Sequence, residues 1–178
     1  MNYTIRPESC KDRASIHALT EAAFRDAPHS SHTEQFIVDA LRSRGELSLS
    51  LVAEKDGQVV GHIALSPVTI SDGSTGWFGV GPISVLPGCQ GQGIGAALMH
   101  AALDALRGQG AQGCVVLGEP SYYGRFGFHA EPGLVLPVFQ QRTSRPSLWC
   151  RRSRRAKCAT QRHSRQAPRP WIDPRRRG

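Results

Sequence analysis

Ile83-Ser84-Val85-Leu86-Pro87-Gly88-Cys89-Gln90-Gly91-Gln92-Gly93-Ile94-Gly95-Ala96-Ala97-Leu98 decides how this chain is read. An apolar, β-branched run passes through a Pro-Gly break into a glycine-rich turn, and a helix-patterned segment, Ala96 to Leu106, follows at once. Closely spaced glycines let backbone approach a ligand with no side chain in the way. The unpaired N–H groups of a first helical turn, with the positive end of the helix dipole, then face that ligand. Strand, glycine turn and helix together make a site for a phosphate or pyrophosphate.

Three readings compete for the turn. A Walker-type loop needs Lys and then Ser or Thr after its last glycine, and Gly93 is followed by Ile94 and Gly95. A dinucleotide fold is nearer, since Gly91-x-Gly93-x-x-Ala96 fits its pattern and Glu119 lies beyond the next apolar run. That fold begins with this unit and repeats it, whereas here the motif comes late and nothing after it repeats. The plainest reading is a helix start whose glycines only permit tight packing.

A second motif changes the balance. Gln90-x-x-Gly93-x-Gly95 resembles the acyl-CoA signature of the GNAT superfamily of N-acetyltransferases. Tyr122-Tyr123-Gly124-Arg125-Phe126-Gly127-Phe128 resembles that family's aromatic turn ending in Gly-Phe, at the family's spacing of one helix plus one strand. The resemblance covers about residues 3–137. It implies an α/β fold: a mixed, mainly antiparallel central sheet flanked by helices, with a V-shaped cleft between two sheet halves. It further implies acetyl-CoA as cosubstrate, no metal, and acetyl transfer to a primary amine of a small molecule or protein. In such a site the backbone of Ile83 and Val85 holds the pantetheine arm. The N–H groups of Gln92, Gly93, Ile94, Gly95 and Ala96, after Gly91, hold the pyrophosphate, and Gln90 braces the turn. Tyr123, four residues before Gly127, takes the place of the general-acid tyrosine; Tyr122 is read as packing and Arg125 as a surface or capping cation. No base is identified: Glu34, His62 and Glu119 each have an ordinary structural reading.

The rest of the chain bounds these implications. Residues 1–138 carry nine basic and thirteen acidic side chains, a net of −4, whereas residues 139–178 carry thirteen basic side chains and one acid, a net of +12. The expected division is an acetyltransferase-like domain at 1–138 and a basic, disordered tail at 139–178. Arg151-Arg152-Ser153-Arg154-Arg155 would bind phosphate at low salt, so a nucleic-acid partner for the tail is open, though not favoured. The Arg, Pro, Ala, Cys and Trp content of the tail is also that of a shifted reading frame in a GC-rich gene, which is the favoured reading. Two alternatives to catalysis follow: a non-catalytic acyl-CoA-binding module, and a nucleic-acid-associated protein working through the tail. Five cysteines without a C-x-x-C pair argue against a disulfide framework or zinc site and fit a reducing cytoplasm. Neither a membrane-spanning run nor an apolar core after Met1 is present, so neither membrane insertion nor export is expected; a homodimer is compatible with this reading.

Local patterns give an order of elements: a strand at Tyr3–Arg6, a capping box at Ser9-x-x-Asp12, and a helix with Ile16, Leu19 and Ala23 on one face. A second helix from Thr33 to Gly45 is expected to bury Phe36, Ile37, Ala40 and Leu41. A strand through Leu47–Ala53 turns at Asp56-Gly57 into Val59–Leu65, and further strands fall at Trp77–Val85, Cys114–Leu117 and Leu134–Leu136. Nothing after Leu136 reads as the additional strand that the resemblance places beside Cys114–Leu117.

Overall fold

Alternating apolar residues from Leu49 make strand β2 (Leu49–Lys55), and β3 (Gln58–Val68) returns beside it. The two-residue turn places Asp56 at φ +51° and Gly57 at φ +76°, the left-handed pair that a type I′ hairpin requires. The computed structural model describes residues 2–27, 30–70, 72–130 and 148–152. β1 (Thr4–Pro7) lies antiparallel to β2, and β4 (Trp77–Val85) antiparallel to β3. Beyond β4 comes β5 (Gly113–Leu117), the one parallel pairing among the described strands. The sheet order is β1-β2-β3-β4-β5-β7-β6, with β6 at His129–Ala130 and β7 at Leu148–Arg152. This is the mixed, mainly antiparallel sheet that the motifs imply.

Helices cover both faces. α1 (Arg13–Phe24) and α2 (Glu34–Ser43) lie on one side, where Ile16, Val38, Val52 and Ala64 form a small core. α3 (Ile94–Gly108) lies on the other, packing Ile94, Leu98, Met99 and Leu103 on Leu51, Ala53, Ile63 and Leu65. Gly61 brings α3 close: a Cβ there would meet Ile94 Cγ2 at 2.9 Å and Leu98 Cδ1 at 3.0 Å. The capping element at Ser9 forms as expected, with the Ser9 N–H donating to Asp12 Oδ2 at 2.6 Å. Arg6 holds the same carboxylate and keeps Asp12 ionised far below its ordinary range.

Two expectations need correction. Phe36 and Ile37 are 57% and 45% exposed, not buried, and Ala40 and Leu41 are half-buried; α2 instead turns Gln35 and Val38 inward. Its rotation is set by Arg42, whose Nε and Nη2 donate to Glu8 at 2.9 and 3.0 Å, and by Gln35 Nε2 donating to the His32 carbonyl. Phe36 then lies edge-on to His17 at 5.5 Å. The second correction concerns the sheet, which does not stop before residue 138. Leu148–Arg152 pairs with β5 on one side and β6 on the other. Two arginines after three mixed residues carry no period of two; ladder bonds on both flanks, which only the tertiary structure supplies, make this segment a strand. The strand expected at Leu134–Leu136 lies outside the described residues, as does everything after Arg152.

A polar cluster ties β1, β2, β3 and α2 together. Ser50 Oγ donates its one proton to Glu8 in a short bond, so it must accept from His62 Nε2, 2.9 Å away. His62 is fully buried, and its bare Nδ1 has no partner among the described residues. Burial pushes its pKa down to about 4, because the loss of water around an imidazolium outweighs the attraction of the Glu8 carboxylate 3.9 Å away.

Two outcomes follow. Chains ending at residue 137 should melt several degrees below chains ending at residue 152, since the shorter one removes the strand between β5 and β6 and bares an edge; equal melting temperatures would mean that β7 adds nothing. Between pH 6.5 and 4 the unfolded state takes up a proton on His62 that the fold refuses, so stability should fall with acidification by about 3 kcal/mol over that window. The lowered carboxylates Glu8, Glu34 and Asp12 add to the fall only from the acid end of this window, near pH 4.5, downward. Denaturant titrations across this range should show that limb flattened in His62→Gln.

Candidate active site

The parallel pairing of β4 with β5 runs from Trp77↔Gly113 to Val80↔Val116 and stops, although β4 continues to Val85. A bulge at this point breaks the register with β3 between Ile63 and Leu65, opposite Gly81-Pro82. Gly81 has φ +142°, which its lack of Cβ allows. Past the bulge β4 stays on β3, and the Leu86 N–H donates to the Val60 carbonyl at 3.0 Å. The two-residue alternation of an antiparallel ladder therefore aims the backbone of Ser84 at β3 and that of Ile83 and Val85 at the opposite edge, where β5 has left. The result is a cleft with one wall of backbone that has no strand partner among the described residues. Gln90 Nε2 reaches across to donate to the Val85 carbonyl at 3.1 Å, which leaves the Val85 N–H and both Ile83 groups facing the opening.

Below this wall lies the start of α3. Gly93 is the N-cap at φ +81°, and Gly91 stands at φ +72°. The Ala97 N–H makes the first intrahelical bond, to the Gly93 carbonyl at 3.0 Å, so the N–H groups of Gly93, Ile94, Gly95 and Ala96 have no acceptor within the helix. No acidic side chain occupies the first turn. Gln92 Nε2 ties the turn to the Gly88 carbonyl at 3.3 Å. Such a corner is chemically suited to a phosphate.

The opposite wall is the aromatic turn, α4 (Pro120–Tyr123) and the 3-10 turn Gly124–Phe126. The Glu119 carbonyl accepts from the Tyr122 and Tyr123 N–H groups at 3.1 and 3.2 Å. Tyr123 is 8% exposed, edge-on to Tyr122 at 5.0 Å and Phe128 at 6.0 Å, and burial pushes its phenol up to about 12. Tyr122, read from sequence as packing, does more. Its hydroxyl stands 2.9 Å from where a Cβ on Gly95 would lie, and Val85 Cγ2 is 3.6 Å from the same point. It therefore spans the gap between the end of β4 and the first turn of α3. Arg125 lies over the Tyr122 ring at 4.6 Å; it is exposed, as read. The glycine following Leu117 was a readable signal that was missed: a Cβ on Gly118 would strike Tyr123 Cε2 at 2.4 Å.

The structure separates the three base candidates from this cleft or assigns them other partners. His62 faces α1 and α2 across the sheet, hydrogen-bonded to Ser50. Glu34 accepts from Ser30 Oγ at 2.9 Å and the Ser31 N–H at 3.0 Å, tying the preceding loop to the first turn of α2. Glu119 is exposed at the end of β5, with Ser121 Oγ at 3.4 Å. No group of three or more metal-binding side chains occurs among the described residues, nor is any described helix long and apolar enough to cross a membrane.

Comparison with known proteins agrees with this geometry. The profile of the Acetyltransferase (GNAT) family matches residues 14–128. The uncharacterized N-acetyltransferase YhbS of Escherichia coli strain K12 is 39% identical over 125 residues, covering 70% of this chain and 72% of YhbS. YjhQ of the same strain, also an uncharacterized N-acetyltransferase, is 37% identical over 129 residues, covering 71% and 70%. A GNAT family acetyltransferase from Brucella melitensis, solved in complex with acetyl-CoA, superposes with a TM-score of 0.73 at 48% identity, covering 85% of this chain and 88% of that one. Escherichia coli YhbS, solved in complex with CoA, superposes at 0.69 over 85% and 82% of the two chains; identity there is 32%, over a longer alignment than the sequence match.

Buried phenols leave a signature at high pH. Between pH 10 and about 12 the unfolded chain loses the Tyr123 proton while the fold retains it, so stability should fall by roughly 1.4 kcal/mol per pH unit there. Tyr123→Phe should make that slope shallower, leaving the smaller part due to Tyr122, whose phenol is also raised by burial. An unchanged slope would mean that Tyr123 is solvated.

Proposed function

This chain belongs to the Acetyltransferase (GNAT) family, and from that membership we propose that it transfers the acetyl group of acetyl-CoA to a primary amine of a small molecule or a protein. The observation that carries the reading is the departure of β5 from β4 after Val80, directly above the first turn of α3, whose N–H groups have no acceptor within the helix. An extended amide-bearing arm adds to the free edge at Ile83 and Val85 as a further strand would, and its diphosphate rests on the N–H groups from Gln92 to Ala96. Acetyl-CoA has both parts in that order. Gly91 and Gly93 keep side chains off the diphosphate, Ile94 anchors the helix on Gly61, and Gln90 holds the turn to the strand.

The reaction then needs few groups. The amine nitrogen attacks the thioester carbon, the Val85 N–H donates to the oxygen as charge develops there, and the C–S bond breaks with its electron pair going to sulfur. A preorganised donor of this kind contributes about 2.7–4 kcal/mol. Tyr123 donates a hydrogen bond to the departing sulfur. With a pKa near 12 it is protonated throughout the working range, and a free thiol ionises near 8.5. It therefore stabilises the thiolate without surrendering its proton completely. The amine loses its proton to water, consistent with a cleft in which none of the three base candidates is committed to catalysis. The thiols of Cys10 and Cys89 are free, which supports a reducing compartment such as the cytoplasm.

Gly93→Asp tests the diphosphate seat. Aspartate tolerates the left-handed backbone of Gly93 better than most residues, so the fold should survive, while its carboxylate repels the phosphates and weakens CoA binding by at least about tenfold. Calorimetry with CoA reads this directly, and unchanged affinity in a folded variant would overturn the assignment. Release of CoA thiol from acetyl-CoA against a panel of amino acids, polyamines, aminoglycosides and peptide N-termini tests the transfer and identifies the acceptor.

A further inference from the structure

Gly118 follows the last residue of β5, at the point where the two halves of the sheet have separated. A Cβ built on it would lie 2.4 Å from Tyr123 Cε2 and 3.3 Å from Cδ2 and Cζ, so the ring rests directly on this backbone. On its other sides the ring meets Tyr122 at 5.0 Å and Phe128 at 6.0 Å between centroids, and only 8% of the residue is exposed. The missing side chain of Gly118, which stands at φ +159°, forms the floor of the ring's seat. Gly124, by contrast, has no atom within 4 Å of an added Cβ, so its substitution moves nothing around it.

We infer that Gly118 is the positioning residue for Tyr123: its bare Cα lets the ring sit where the phenol meets the departing sulfur. The inference rests on the role given to Tyr123 above. Bringing the contact out to the 3.4 Å where ordinary van der Waals contact begins shifts the ring by about 1 Å, a displacement that at a reacting group costs roughly 10²-fold in rate. The glycine turn and the β4 edge meet the displaced ring only through Tyr122, which stands edge-on to it at 5.0 Å, so binding of the cosubstrate should change little.

The experiment compares Gly118→Ala, Tyr123→Phe and the double variant. It measures CoA release from acetyl-CoA with the acceptor that responds in the panel, or with water where no amine does, and CoA affinity by calorimetry. Gly118→Ala should lower kcat by about 10² with KM for acetyl-CoA and CoA affinity within about twofold. The double variant should be no slower than the slower single one, because a misplaced phenol and an absent one fail alike; a purely structural effect would multiply with the loss of the hydroxyl. Full turnover in Gly118→Ala beside a slow Tyr123→Phe would overturn the inference and leave the role of Tyr123 standing, as would losses that multiply. Full turnover in Tyr123→Phe would remove that role and the inference with it. Should Gly118→Ala fail to fold, Gly118→Ala/Tyr123→Ala removes the ring that the methyl strikes and should recover a folded chain; failure to recover would show that Gly118 is needed for its own backbone and overturn the inference.

Discussion

Everything at this site depends on β4 keeping one neighbour while losing the other. A strand that leaves both neighbours would fray, and one that kept both would have no backbone left for a ligand. Pairing with β3 continues through Val85, and the Leu86 N–H extends it to Val60; on the far side pairing ends at Val80. A polar backbone group left dry and unbonded costs about 1–3 kcal/mol, so these groups are tolerable because they open into a cleft. The bulge at Gly81-Pro82 sits where the separation begins and permits β4 to change its path without losing β3.

The second condition is that the helix start be held against that edge. Ile94 is 1% exposed and, with Leu98, packs where Gly61 has no side chain. The first turn of α3 is thus anchored by an apolar contact on its inner face and presents N–H groups from its end. Gln90 adds a direct link from the turn to the Val85 carbonyl. Strand edge and helix end are thus tied to each other by contacts of the protein itself.

This unit was legible in the sequence because each part has a local cause: glycines where φ is positive, a β-branched run before them, an apolar helical face after them. The Asp56-Gly57 hairpin was legible for the same reason. The face of α2 was not, because Arg42 turns the helix through ion pairs with Glu8, 34 residues away, against the pull of Phe36 and Ile37. β7 was hidden more thoroughly, since Leu148–Arg152 owes its conformation to partners on two other strands. The place of Tyr122 beside Gly95, and of Tyr123 on Gly118, depends on how α4 lies across the cleft, which no spacing along the chain records.

The sheet also divides labour between its faces, and this bears on the chemistry. The α1–α2 face holds the ionisable network of Glu8, Arg42, Ser50 and His62; the α3 face beneath the cleft is almost wholly apolar. His62, one of three base candidates for which the sequence already offered an ordinary structural reading, lies on the networked face with its one proton committed to Ser50. Its neutral state is required by burial, not by catalysis. On the cleft side, no charged group among the described residues acts on the buried Tyr123; desolvation raises its pKa, with Tyr122 adding to the same direction. A phenol so placed is a poor acid and a dependable hydrogen-bond donor. That property suits a leaving group already stable as an anion, since the donor need only lower the energy of charge appearing on sulfur in a low-dielectric cleft. The apolar face and the uncharged donor thus serve the same step: the fewer charges the protein places near the thioester, the more each oriented N–H and O–H contributes as the bond breaks.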